Sequence, residues 1–247
     1  MDGSPEILPY LTELVADMWA LGSTPRLAVD LLRPLDLTTG STRLLDLGCG
    51  KGALCVTVAK DLGFSVCGVD LCEEFLRDAA QRATELGVSD LCEFVHRDLR
   101  DVLQQGDKFD VAVLASLGGV LGRFDRCVGN MRKVVRPGGY MLIDDGFLTR
   151  TEVVNHPGYA HLSSHDRTVE YLQVHGDVLV AERIYSAEET RAINLDYIGH
   201  ISRRAAGVVE RHPEAAEALH RYIASQETEC EFIDREITGA IWLLQRG

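Results

Sequence analysis

A chain of 247 residues, 46% hydrophobic and 26% charged, can bury a sizeable core, and that composition argues against disorder. Its formal net charge of -13, with no basic stripe among 25 Lys and Arg, argues against a nucleic-acid partner and an anionic membrane surface, since clustered cations grip both. Seven cysteines without a CxxC pair read as reduced thiols packed in a core, and no stretch reaches the ~20 apolar residues of a membrane span, so the expected place is the cytoplasm.

The N-terminal part predicts two helices within residues 1–35. Ser4-Pro5 and Thr24-Pro25 each put a capping hydroxyl ahead of a proline at a first helical position. Ile7, Leu11, Leu14, Val15 and Met18 follow the first at helical spacing, and Leu27, Leu31 and Leu32 the second. Such helices either cover a sheet edge or close over a ligand.

Leu44 to Gly52, reading LLDLGCGKG, describes a buried strand entering a glycine-rich turn, with a helix from Ala53 to Asp61 behind it and Gly63 as its stop. Glycine there allows positive φ and lets a ligand lie against the N–H groups at the helix start. GCGKGA also fits the looser dinucleotide fingerprint. Asp46, two residues before the first glycine, would repel a pyrophosphate and tolerate a cation. Further apolar runs at Ser65 to Val69, Cys92 to His96, Phe109 to Ala115 and Tyr140 to Ile143 alternate with helical segments such as Glu73 to Leu86 and Phe124 to Val135. That alternation predicts an α/β fold with a doubly wound, mostly parallel sheet and helices on both faces. Ligands in such sheets sit beyond the carboxyl ends of the strands, which singles out Asp46, Asp70, Asp98, Ala115 and Asp144. Asp70 ends its run 20 residues after Gly50, a spacing from which a carboxylate reaches ribose hydroxyls.

On these residues the sequence resembles, over about residues 40 to 147, the class I S-adenosylmethionine-dependent methyltransferases. The resemblance implies a seven-stranded sheet and S-adenosyl-L-methionine as cofactor, with S-adenosyl-L-homocysteine as product. It implies cofactor contacts from Asp46, Gly48, Cys49, Gly50 and Gly52 in the turn, and from Asp70 and Leu71 at the second strand end. Asp98 and Leu99 would meet the adenine, although Asp98 also suits a helix N-cap, and Ala115 with Ser116 would lie against the methionine part. Arg136-Pro137-Gly138-Gly139 matches the turn into the fifth strand. An N-terminal lid in this family often includes an aromatic, here Tyr10 or Trp19. Ala115-Ser116-Leu117-Gly118-Gly119 lacks the Asp/Asn-Pro-Pro-aromatic motif of enzymes acting on DNA amines or glutamine amides. Catechol-type enzymes hold magnesium with acids after the fourth and fifth strands. Asp144-Asp145 could supply the second half and Ala115 cannot supply the first, so no metal is expected.

Beyond Phe147 the resemblance loosens. His156, His161 and His165 are expected in a loop, in or near a substrate pocket or exposed to solvent, with Tyr159 and His156 as substrate contacts beside Tyr10. Asp144, His156 and His161 are the general-base candidates. Thr168 to Val174 and Val178 to Ile184 predict a hairpin about His175-Gly176-Asp177, inserted after the fifth strand as a substrate cap or a homodimer contact. Ser186 to Gly207 and Pro213 to Ser225 read as helices. Cys230 to Ile237 with Ala240 to Gln245 read as a closing antiparallel pair. The expected organisation is one domain over 1–247: N-terminal helices at 1–35, cofactor core at 40–147, insert at 148–207, and closing helix and strands at 208–247. The function expected is methyl transfer to a small-molecule acceptor. A cofactor-binding protein without catalysis and a nicotinamide-dependent oxidoreductase are the alternatives, the latter disfavoured by Asp46.

Overall fold

In the computed structural model, which describes residues 5–150 and 156–247, seven strands form one sheet: β1 (Arg43–Leu47), β2 (Ser65–Asp70), β3 (Cys92–His96), β4 (Phe109–Ala115), β5 (Val135–Leu148), β6 (Val178–Ile184) and β7 (Ile237–Gln245). Their order is β3-β2-β1-β4-β5-β7-β6. The first five are parallel, and β7 runs antiparallel to both neighbours. β1 and β4 lie in the middle and are buried on both faces, which is why their sequences are nearly continuous apolar runs. The chain winds outward from β1 to β3 and then crosses back to β4, so the switch point of the sheet lies between β1 and β4.

Nine α-helices among the described residues cover this sheet: α1 (Leu11–Leu14), α2 (Pro25–Leu32), α3 (Ala53–Leu62), α4 (Glu73–Glu85), α5 (Leu99–Val102), α6 (Phe124–Met131), α7 (His165–Gln173), α8 (Ala187–Arg211) and α9 (Ala216–Glu236). On one face Leu32, Val56 and Val58 pack on Leu44, Val111 and Leu142. On the other, Phe124, Met131 and Leu172 pack on Met141 and Trp242, and the Trp242 indole donates to Glu182 Oε1 at 2.6 Å. A third cluster joins α1, α8 and α9 through Leu14, Ile201, Val208 and Leu219. α8 begins in a capping box: Ser186 Oγ accepts from the Glu189 N–H (3.2 Å), and the Glu189 carboxylate accepts from the Ser186 N–H (2.7 Å).

Several expectations are corrected. Ser4 lies outside the described residues. The first expected helix is a 3-10 turn, Leu8–Tyr10, followed by the single turn of α1, because Pro9 removes an N–H and its ring obstructs a continuous helix. α6 stops at Met131 and Val135 already pairs with Phe109; Arg136 to Gly139 then bulge out before Tyr140 resumes pairing with Val111, so β5 is much longer than Tyr140 to Ile143. Thr168 to Val174 is not a strand. It lies mostly in α7, where Thr168 and Leu172, four apart, are buried. No hairpin is inserted: β6 is an edge strand of the main sheet, paired with β7. Cys230 to Glu236 is the end of α9, and the antiparallel partners of β7 are β5 and β6.

The turn between α7 and β6 is a docking point. Asp177, which is buried, accepts from the Arg132 guanidinium on Oδ1 and from the Gly247 N–H at 3.2 Å. Asp177→Ala leaves the Arg132 cation without its carboxylate and is expected to cost about 3 kcal/mol of unfolding free energy, read from urea denaturation by circular dichroism.

Candidate functional site

The glycine turn after β1 is fixed by the next strand. The N–H groups of Gly48 and Cys49 both donate to Val69 O, at 2.8 and 2.9 Å. Gly48 has φ of +77°, and a Cβ there would come within 2.4 Å of Leu117 Cδ1, so the turn requires glycine on two grounds. Asp70 completes the clamp: Oδ2 accepts from the Gly50 N–H (2.9 Å) and Oδ1 from the Cys72 N–H ahead of α4 (2.9 Å). Asp46 lies beneath the turn. It is buried, its carboxylate accepts from the Cys55 thiol at 3.2 Å, and burial pushes its carboxyl up to about 7.

A cleft of about 610 Å³ opens beyond the strand ends, within the range of small-molecule sites. Gly48, Gly50 and Asp70 line one side, with Ala115 and Ser116 at the end of β4 and Asp144 and Asp145 in β5. Ser116 is the one non-glycine with positive φ (+56°) among the described residues, and its N–H donates to Asp144 O at 2.8 Å. Backbone strain of this kind, about 1–3 kcal/mol, concentrates at functional sites. Asp144 is buried and pushed up to about 7 by that burial. The Tyr185 hydroxyl stands 3.3 Å from both of its carboxylate oxygens and 3.0 Å from Thr24 Oγ1. Asp145 Oδ2 lies 3.0 Å from His161 Nε2.

The far wall is helical. Thr190, Ile193 and Asn194 of α8 share one face, as do Glu229 and Ile233 of α9. Glu229 is held from two directions, by the Tyr159 hydroxyl (2.7 Å) and the Gln226 amide (3.1 Å), and Gln226 Oε1 accepts in turn from the Tyr197 hydroxyl (2.8 Å).

The near end is closed by the segment before α2, whose Leu21 and Gly22 line the cleft. Lys51, inside the glycine turn, points away from the cleft. Its buried ammonium donates to Val15 O (2.7 Å) and Ala16 O (3.2 Å) and lies 3.7 Å from Asp78. Trp19 Nε1 donates back to Lys51 O at 3.1 Å. The N-terminal segment and the turn are thereby stapled in both directions.

Of the residues singled out from sequence, the cleft brings together Gly48, Gly50, Asp70, Ala115, Ser116, Asp144 and Tyr159. Asp46 and Cys49 lie under the turn. Gly52 starts α3 with Ala79 and Phe94 against its Cα. Leu71 is exposed, and Leu99 packs on the core. Asp98 caps α5, accepting from the Arg100 N–H at 2.8 Å. Tyr10 packs against His212, their rings 5.5 Å apart. His156 stacks on Phe232 behind Tyr159, and His161 lies behind the cleft wall, beside Asp145 and against Gly119. Sequence reasoning missed Glu229, Asn194 and Lys51. A signal for Glu229 existed: Tyr222, Gln226, Glu229 and Ile233 recur at three and four, a helical period obscured by reading Cys230 to Ile237 as a strand.

Comparison with known proteins bears on the family and the fold. A model of the family described as "Methyltransferase domain" matches residues 38–193. The uncharacterized protein YjhP of Escherichia coli is 36% identical over 106 residues, covering 43% of this chain and 42% of YjhP. The ubiquinone biosynthesis O-methyltransferase of Mesorhizobium japonicum is 31% identical over 140 residues, 57% of this chain and 51% of that protein. The chain thus spans about half or less of the length of these curated relatives. Among solved structures, a SAM-dependent methyltransferase from Geobacter sulfurreducens in complex with S-adenosyl-L-homocysteine has a TM-score of 0.82 at 22% identity, with 100% of both chains covered.

Two measurements follow from the site. Lys51→Met removes the hydrogen bonds to Val15 and Ala16, and is expected to speed proteolytic cleavage around residues 15–22 while the far-ultraviolet spectrum stays native. Asp46, with a folded-state carboxyl raised to about 7, is folded preferentially in its protonated form. Its contribution is therefore neutral below about pH 4 and increasingly destabilising as pH rises toward 7, then constant. Asp46→Asn, which keeps an acceptor for Cys55, is expected to match the wild type near pH 4 and exceed it at pH 8 by on the order of 4 kcal/mol, read from urea midpoints at the two pH values.

Proposed function

Because the chain belongs to the methyltransferase-domain family, we propose that it transfers the methyl group of S-adenosyl-L-methionine to a small-molecule acceptor. The observation that carries this reading is the cleft at the sheet's switch point, where a glycine turn clamped by Asp70 meets the strained Ser116 and where no Lys or Arg is present among the lining residues. A dinucleotide's pyrophosphate would find no cation there, and a sulfonium nucleoside would find carboxylates. Gly48, Gly50 and Asp70 would hold the nucleoside end, and Ala115 with Ser116 the amino-acid end. When bound, the cofactor supplies an electrophilic methyl carbon.

The protein's own part is alignment and desolvation. Leu21, Gly22 and the Lys51 staple exclude water from the near end. Ile193, Ile233 and Ile237 offer apolar surface at the far end, where Tyr159 and Glu229 provide polar contacts for the acceptor. Asp144 is the general-base candidate: burial raises it to about 7, the range in which a carboxylate takes up a proton at neutral pH. His161 acts on the cleft by orienting Asp145. Ala115 stands opposite Asp144 in register and offers no carboxylate, so we take the reaction to need no divalent ion. The net charge of -13 disfavours a nucleic-acid acceptor, and seven unpaired thiols fit the reducing cytoplasm.

Asp70→Ala is expected to weaken S-adenosyl-L-homocysteine binding by roughly 2–3 kcal/mol in a folded protein, measured by calorimetry. Unchanged affinity would remove Asp70 from the site. Turnover is expected to survive excess EDTA; activity that vanishes with the chelator and returns with magnesium would contradict the metal-free reading.

A further inference from the structure

The cleft is electrostatically one-sided. Asp70, Asp144, Asp145 and Glu229 all line it, and no Lys, Arg or His does so among the described residues. Residues 151–155, which are outside the described residues, have no Lys, Arg or His in their sequence. Among the described residues none of the four carboxylates forms an ion pair with a Lys or Arg: Asp70 is held by backbone N–H groups, Asp144 by Tyr185, Asp145 by His161, and Glu229 by Tyr159 and Gln226. The arginines closest in sequence to the α8 wall are engaged elsewhere, Arg183 with Glu189 at 2.6 Å and Arg191 with Asp234 at 3.7 Å. Carboxylates gathered around a partly desolvated cavity with no Lys or Arg among them, and with only His161 beside Asp145, repel one another, and each added cation relieves that repulsion. The cofactor of the proposed function brings a sulfonium, an ammonium and a carboxylate, a single net positive charge, set against Asp70 and Glu229, a partly charged Asp144 and an Asp145 that has His161 beside it.

Position separates the acids. Asp70 belongs to the glycine-turn end. Glu229 and Asp145 belong to the opposite end, beside the apolar side chains of Ile193, Ile233 and Ile237. We propose, resting on the methyltransferase reading, that the methyl acceptor is an amine, bound as its protonated cation by Glu229 and Asp145 with its hydrocarbon body on the three isoleucines. An acceptor bearing a carboxylate or phosphate and no cation is disfavoured by the same charges.

The chemistry balances. The bound ammonium gives one N–H proton to Asp144, whose carboxyl, pushed up to about 7 by burial, is better matched to that proton than an ordinary carboxylate. The freed nitrogen lone pair forms the N–C bond to the methyl carbon. The C–S bond breaks with its electron pair remaining on sulfur, which becomes a neutral thioether. Positive charge passes from sulfur to nitrogen, so the cleft keeps a cation throughout.

The test uses the full chain. S-adenosyl-L-homocysteine binding is measured first by calorimetry. S-adenosyl-L-homocysteine release from S-adenosyl-L-methionine is then followed with 2-phenylethylamine, 2-phenylethanol and 3-phenylpropanoate, and with the same head groups on butyl and hexyl chains. Turnover is expected with the amines alone, with a KM that rises on adding NaCl. Glu229→Gln is expected to raise that KM about tenfold or more, with kcat and S-adenosyl-L-homocysteine affinity little changed. Preferred turnover of an alcohol or carboxylate would overturn the proposal, as would no turnover of any amine by a protein that binds S-adenosyl-L-homocysteine. An amine KM indifferent to both salt and Glu229→Gln would overturn it too. Failure to bind S-adenosyl-L-homocysteine would remove the cofactor reading itself, and the amine proposal with it.

Discussion

The site depends on one carboxylate doing two structural jobs. Asp70, at the end of β2, accepts from Gly50 in the turn after β1 and from Cys72 ahead of α4. Together with the two hydrogen bonds to Val69 O, it sets the shape of the glycine turn and the start of the following helix. This works only because β1 and β2 are parallel and in the register Leu47↔Val69, which brings the turn of one strand beside the end of the next. The position of the near wall of the cleft follows from that register. So does the position of Lys51, which faces outward from the same turn and draws the N-terminal segment over the cleft.

Charge is the second constraint. Strand ends at a switch point are where backbone leaves space for a ligand, and this chain fills that rim with acids. Two of them, Asp46 and Asp144, are buried and raised to about 7, so near neutral pH they carry only part of their charge. Asp70 and Glu229 are spared some of the cost of leaving water by charge-assisted hydrogen bonds. A cationic ligand would relieve the rest, so binding and folding stability are coupled in the direction of stabilisation.

The cofactor half of the fold is legible in the sequence because its signals are local. Buried parallel strands read as short apolar runs, and a glycine turn with an acid 20 residues on is a pattern within one supersecondary unit. β3 and β4 have the bounds that their apolar runs predict. The helical half, α7 to α9, is not legible in the same way. In α7, Thr168, Val169, Tyr171 and Leu172 satisfy a strand period as well as a helical one. At the end of α9, Cys230, Phe232 and Ile233 lie among charged residues in a short run that leads directly into β7 at Ile237, although Cys230 to Glu236 is helical. Each helix buries only a few side chains, Thr168 and Leu172 in α7 and Leu219, Tyr222 and Gln226 in α9, so the apolar stripe that fixes a period is narrow. Glu229, Asn194 and Tyr185 meet only through tertiary packing of α8 and α9 against the strand ends, for which no short-range spacing exists. Asp98 shows the reverse case: a strand-end acid whose side chain is used as a helix cap.

Hydrogen exchange with and without S-adenosyl-L-homocysteine tests the central claim most directly, because it reads the backbone of every wall of the cleft at once. The expected result is slowed exchange at residues 48–52, 70–72 and 115–119, together with the strap at 21–22, while α6 and α7 are unchanged. Protection absent from the glycine turn, or concentrated away from the strand ends, would contradict it.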